Sequence, residues 1–382
     1  MSEKFDSFEE NSKPVTVKKE KSAPSSSALT VIIIVLAVLL AAAVALLATF
    51  FLKDKFGSKD PTSGDTSDVT SQTSELDEET KALYATEVMT VDGEKIDYET
   101  YRYYYLNCKA SFDNGDPSYW ETEEGKGKLQ ELKDEVQKEL NYEIAAMHMA
   151  KENGVEFTEE DEKTLNENIS YMDAQYRMYY QVSFAQALST YNMTLNSYGW
   201  LYKYETLVDG LFQKLSDPEN GAVDFDEEKV AARAADYYYV KHILYSFDTT
   251  SEADALAKAQ ATLETLKAIT NAEELEDKFD ELIVSDSADY AEGGANYYFF
   301  VDGDMVPEFE EATKALAEGA LSEPVKSEYG YHIILRLPID MEKFKTEVYA
   351  SECVQNMIQE RSEKLTVETT EFFENLTPAT AK

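Results

Sequence analysis

The chain has 382 residues, with 75 acidic against 35 basic side chains and a formal charge of −40. That charge excludes a nucleic-acid binder, since a phosphate backbone needs basic neutralisation, and most of the carboxylates read as a solvated face. The length allows more than one domain and a sizeable core. Its two cysteines, Cys108 and Cys353, are too few for a disulfide scaffold and have no zinc spacing.

Residues 1–27 are polar and rich in Lys, Ser and Glu, and read as a disordered cytoplasmic tail. Residues 28–52 hold no charge and no proline; as a helix they reach ~37 Å at 1.5 Å per residue, enough for a hydrocarbon core of about 30 Å. Ala43-Val-Ala45 raises a cleaved signal peptide as the rival, but the apolar run continues to Leu52 and favours an anchor. The expectation is one transmembrane helix, single-pass in the cell membrane, with the N-terminus cytoplasmic and the folded domains extracytoplasmic. Residues 53–82 read as a flexible acidic linker.

Residues 83–235 carry helical patterns. Val88 to Ile96 reads as a short strand pair around Asp92-Gly93. Asp97 is an N-cap for a helix with Tyr101, Tyr104, Tyr105 and Cys108 on one face. Leu129, Leu132, Val136, Leu140, Ile144 and Met147 mark a second helix that stops at Asn153-Gly154. Thr158 with Asp161 resembles a capping box, and 196–215 is a further helix. The tyrosines of this region suit either a core or contact with extended chains; for Tyr101, Tyr104 and Tyr105 core packing is the expectation. His148 reads as structural.

From residue 236 the pattern changes. Strands are expected at 237–244, 296–301 and 330–337, with helices at 251–267, 271–282 and 307–316 between them. Residues 341–374 return to helix, with Phe344, Val348, Cys353 and Met357 as apolar markers. The layout predicts an α+β fold class: a small antiparallel sheet with flanking helices, at 236–338, inserted in a mostly helical domain that 339–382 completes.

Five motifs in order carry a family resemblance: Val240-Lys-His-Ile-Leu244, Gly293-Gly294, Met305-Val-Pro-Glu-Phe309, Gly319-Ala-Leu-Ser-Glu-Pro-Val325 and Ser327-Glu-Tyr-Gly-Tyr-His-Ile-Ile334. Residues 236–338 resemble the parvulin-type peptidyl-prolyl cis-trans isomerases, and the flanking helices resemble the chaperone domain of membrane-anchored extracytoplasmic bacterial foldases. The resemblance implies a rotamase that uses no cofactor and no metal. It places His242 and His332 side by side beneath a proline pocket. It sets Met305 and Phe309 around the prolyl ring, with Tyr298, Phe299 and Ser327 also contacting substrate.

Parvulins usually place Asp or Cys two residues after a Ser ahead of the glycine pair. Counted from Ser285, that position is Ser287, with Asp286 one residue early, so Ser287 and Asp286 complete the expected catalytic set without a charge at the usual place. The stretch between Gly294 and Met305 is one residue longer than usual, and the loop after His242 lacks the basic cluster of phosphate-directed parvulins. The expected function is isomerisation of X–Pro bonds in unfolded or partly folded secreted polypeptides outside the membrane. The alternative is a catalytically weak or inactive parvulin-like holdase for the same clients. Cys108 and Cys353 either form a bridge or remain buried free thiols.

Overall fold

A computed structural model describes residues 76–219, 221–290 and 296–381. In chain order the elements are α1 (Glu78–Tyr84), β1 (Glu87–Val91), β2 (Glu94–Asp97), α2 (Tyr98–Asp113), α3 (Leu129–Glu152), α4 (Glu159–Tyr180), α5 (Phe184–Ser189), α6 (Leu195–Leu215) and α7 (Glu227–Ala234). There follow β3 (Tyr238–Ser246), α8 (Glu252–Lys267), α9 (Ala272–Asp286), β4 (Tyr298–Phe300), α10 (Pro307–Ala315), β5 (Val325–Lys326) and β6 (Gly330–Leu337). A π-helical turn (Phe344–Tyr349), α11 (Ala350–Ser362), β7 (Val367–Thr369) and α12 (Glu371–Asn375) close the chain.

The expected tail at 1–27, the span at 28–52 and most of the linker lie outside the described residues. The expected transmembrane helix is not borne out: among the described residues, which do not include 28–52, no helix is long and apolar enough to cross a membrane. The expected membrane contact and the single-pass, extracytoplasmic placement rested on that helix and are likewise not borne out by the described residues. The end of the linker is also not a spacer, because Asp77 caps α1 by accepting from the Thr80 N–H.

The chain divides into two compact units. One takes residues up to Asn141, Thr158–Tyr202 and residues from Thr366; the other takes Tyr142–Phe157 and Lys203–Leu365. In the first, β2, β1 and β7 form an antiparallel sheet. Asp97 ends β2 and caps α2 through the Thr100 N–H at 2.9 Å. The α2 tyrosines Tyr98, Tyr101, Tyr103, Tyr104 and Tyr105 are all core, with Tyr98 and Tyr101 edge-on to Phe372 and Phe373 of α12. Thr158 and Asp161 form a reciprocal capping box at the start of α4.

In the second unit, Ala145, Ala146 and Ala150 of α3 pack with Leu207 and Leu211 of α6, Val230 and Ala234 of α7, and Phe344, Val354 and Ile358. Beside this helical cluster lies a four-stranded antiparallel sheet in the order β4-β3-β6-β5. Alternation along β3 and β6 gives the sheet two apolar faces. Ile243, Tyr245, Ile333 and Leu335 meet α8 and α9 on one face, while Val240, Phe300 and Ile334 meet Phe309 of α10 on the other. Residues 341–374 are not one helix: a π turn follows the α-helical turn Met341–Lys343, and β7 comes after α11, because Val367 and Thr369 pair with β1.

Candidate active site

The two strand histidines sit on adjacent strands but not directly opposite one another. His242 pairs with Ile334 and His332 with Leu244, so the imidazoles are diagonal neighbours on one face of the sheet. Their Nδ1 atoms are 3.3 Å apart and their rings 5.4 Å apart. Lys241, between them in parity, turns to the opposite face and meets Glu276 and Asp280 of α9.

A chain of hydrogen bonds runs through both imidazoles. Ser327 Oγ lies 2.7 Å from His332 Nε2 and accepts from the Tyr329 N–H. At the other end His242 Nε2 is 2.9 Å from Asp289 Oδ2, and the Ser287 hydroxyl donates to Asp289 Oδ1 at 2.6 Å. Burial works to raise the Asp289 carboxyl, but His242 and Ser287 outweigh it and hold it at about 2. Burial, reinforced by the charge of His242, pushes His332 down to about 4. An ionised Asp289 only accepts, so His242 donates to it from Nε2 and turns Nδ1 towards His332.

Local backbone geometry explains the placement of Asp289. Strand β4 covers β3 only at Tyr238, Tyr239 and Val240, so Leu244 faces an open edge. The residues after α9 fill it: the Leu244 N–H donates to Ser287 Oγ at 3.0 Å, and the Ala288 N–H donates to the Leu244 carbonyl at 2.8 Å. That contact carries Asp289 to His242. On the neighbouring turn Gly330 is required, because a Cβ there would lie 2.2 Å from the Tyr245 carbonyl oxygen.

Apolar side chains surround the imidazoles. The buried Phe309 ring stands edge-on to His242 at 5.2 Å and to His332 at 5.5 Å. The Tyr298 ring lies 5.1 Å from His242, and burial together with the nearby Asp289 charge pushes its hydroxyl pKa up. Met305 packs against the same cluster. Glu310 fixes the turn that carries Met305, accepting from the N–H groups of Gly303 and Met305 at 2.6 and 3.2 Å.

His242, His332, Ser327, Ser287, Met305, Phe309 and Tyr298 therefore come together. Two expected residues do not. Asp286 is still helical and turns to the opposite face of the sheet, where it reaches Tyr245 and lines a shallow pocket with Lys258 and Thr262. Phe299 points away from the imidazoles and stacks on Tyr239 at 4.5 Å. The residue that sequence reasoning missed is Asp289. Its signal was present: Ser287-Ala288-Asp289 is itself a Ser with Asp two residues on. Gly293 and Gly294 lie outside the described residues. Among the described residues no group of His, Cys, Asp and Glu side chains is arranged to hold a metal ion.

The family model described as rotamase, PPIC-type PPIASE domain, matches residues 242–337. This segment is a parvulin-type domain. It is distantly related to bacterial foldases: the chain is 38% identical over 101 residues to the Chaperone SurA of Nitrosospira multiformis, 26% of this chain and 21% of that protein. It is 46% identical over 74 residues to the Foldase protein PrsA of Halalkalibacterium halodurans, 19% of this chain and 22% of that protein. The chain thus spans about a fifth of the length of these curated relatives. The crystal structure of PrsA from Bacillus subtilis is similar at 17% identity and a TM-score of 0.34, over 77% of this chain and 100% of that one.

Proposed function

We propose that the PPIC-type domain catalyses cis–trans isomerisation of X–Pro peptide bonds in unfolded or partly folded polypeptides. The observation that carries the reading is the hydrogen-bonded chain from Ser327 through His332 and His242 to Asp289, set among the apolar side chains of Phe309, Met305 and Tyr298. Rotation about X–Pro faces a barrier of ~18–20 kcal/mol because resonance stiffens the C–N bond. A catalyst needs no covalent step; it must favour the twisted amide over the planar one. Phe309 and Met305 hold the prolyl ring out of water. The fixed dipoles of the buried chain meet the amide as its resonance is lost, with no reorganisation at that moment.

The test is a proline-isomerisation assay on the full chain with an X–Pro peptide. Acceleration that His242→Ala and Asp289→Ala each reduce supports the reading, and a rate equal to the uncatalysed one overturns it.

A second reading, a holdase for unfolded chains, is favoured by one observation in the first unit. Met178, Tyr179, Tyr180 and Tyr191 are 44–69% exposed around the end of α4, and contiguous exposed apolar side chains mark interaction surfaces.

A further inference from the structure

Strand β4 is three residues long, lies at the sheet edge and pairs only with β3. Such a short edge strand is weakly fixed by its own backbone. Its residues alternate between two surroundings. Tyr298 covers His242, and Phe300 lies 5.9 Å from Phe309. Tyr297 and Phe299 face the other way and meet the π-helical turn. The Tyr297 hydroxyl donates to both oxygens of Glu347 at 2.8 and 2.9 Å. Phe299 packs on the fully buried Phe344 with rings 5.7 Å apart. The Lys343 ammonium sits 4.5 Å from the Tyr297 ring and donates to the Tyr239 hydroxyl at 3.3 Å.

We propose that Glu347 and Phe344, which lie beyond the matched 242–337 segment, are positioning residues for the isomerase site: they hold β4 in register so that the Tyr298 ring stays over His242. A π turn widens the helix by one residue and recurs at functional sites. Here it presents Phe344 and Glu347 together to the outer side of β4. If the clamp opens, β4 is free to move, and with it the aromatic wall over His242. The pocket wall thus depends on residues that follow the domain in sequence. The kinetic part of the test rests on the isomerase reading above; the spectroscopic part does not.

The experiment uses the full chain with Glu347→Ala, Phe344→Leu and Tyr298→Ala, the double variant Glu347→Ala/Tyr298→Ala, and Glu347→Gln as the conservative change. Glu347 is exposed, and exposed pairs add little stability, so its variants fold. Misplacement of a catalytic group by about 1 Å from a distant change costs up to ~100-fold; for Glu347→Ala a loss of about tenfold in kcat/KM, carried by kcat, is expected, with Glu347→Gln restoring most of it. Because the clamp acts through the Tyr298 ring, the double variant should be no slower than Tyr298→Ala alone.

In parallel, the imidazole ¹⁵N resonances of His242 should shift in Glu347→Ala and return in Glu347→Gln. Independent, multiplying losses in the double variant, or His242 resonances that Glu347→Ala and Phe344→Leu leave in place, would overturn the inference. If the wild-type chain isomerises nothing, the functional reading fails and the His242 resonances alone decide the positioning claim, by the same shift or its absence.

Discussion

Asp289 accepts from His242 at 2.9 Å and from the Ser287 hydroxyl at 2.6 Å, and so ends the hydrogen-bonded chain that begins at Ser327. The negative charge that the sequence left without a place is therefore present, three residues beyond Asp286. It holds the His242 proton on Nε2 and turns the ring so that Nδ1 faces His332.

This assignment separates two neighbouring aspartates. Asp289→Ala should lower kcat/KM by about 10- to 100-fold, the scale of losing one preorganised electrostatic partner, whereas Asp286→Ala should leave it unchanged. Peptide isomerisation kinetics on the two purified full-length variants decide it. Equal losses, or a loss confined to Asp286→Ala, would return the carboxylate to the helix end.

The histidine pair was legible because each sits in a β-branched, aromatic run whose alternation sets its face; Met305 and Phe309 were legible as a pair four apart, although Met305 lies on the turn before α10 and only Phe309 on the helix. Asp289 was not, because Ser285-Asp286-Ser287-Ala288-Asp289 offers two serines to count from: Ser285 leads to Ser287, and only Ser287 leads to an Asp. Only the end of α9 chooses between them: Asp286 is its last residue, and Ser287 is extended at φ −73°, ψ 132°. Phe299 was misplaced for a related reason, since a three-residue edge strand inside a four-aromatic run shows no alternation from which to read its parity. Strand β7 was hidden inside an expected helix because its partner, β1, is far away in sequence and no local pattern reports such a pairing.

Acid should weaken the fold in two windows. Burial holds the folded His332 at about 4, below its ordinary 6.5, so from pH 6.5 downwards the unfolded chain takes a proton that the folded chain refuses. Stability falls through that window by up to about 3 kcal/mol and then levels from this group below pH 4. Asp289 acts next: its carboxyl is held at about 2 against 3.8, so its contribution is present above pH 3.8 and is lost as pH falls towards 2. Urea unfolding of the full chain at pH 7.5 and 4.5 should show a drop that His332→Gln reduces. An equal drop in both proteins would mean that His332 does not set this window.

Glu310 should matter to substrate affinity more than to turnover. Its carboxylate accepts from two backbone N–H groups of the turn before α10 and from Lys314, and that turn carries Met305. Glu310→Ala leaves those donors without their partner, a cost of about 1–3 kcal/mol; Glu310→Gln keeps an acceptor and should cost less. Loss of fixed contact with the prolyl ring should appear as a raised KM at little-changed kcat. Steady-state kinetics beside urea midpoints test this, and a fall in kcat at constant KM would place Glu310 in the chemistry instead.

The exposed side chains at the end of α4 give the last prediction. Met178, Tyr179 and Tyr180 are consecutive, and the helix stops just after them at Gln181, which takes a left-handed φ of 60°. Tyr180 lies 5.3 Å from Tyr176, whose ring packs on the buried Phe184, so a rigid aromatic base supports the exposed group. Tyrosine offers broad amphipathic contact, and methionine adapts to varied partners, a combination suited to extended unfolded segments. Removing exposed side chains costs the fold little, about 0.5 kcal/mol or less. Met178→Glu/Tyr180→Glu should therefore keep its thermal midpoint and its peptide isomerisation rate. Its ability to slow the aggregation of a chemically unfolded protein, followed by light scattering, should fall severalfold. If the wild-type chain and the double variant suppress aggregation equally, or neither does so, this surface does not hold clients and the holdase reading loses its support.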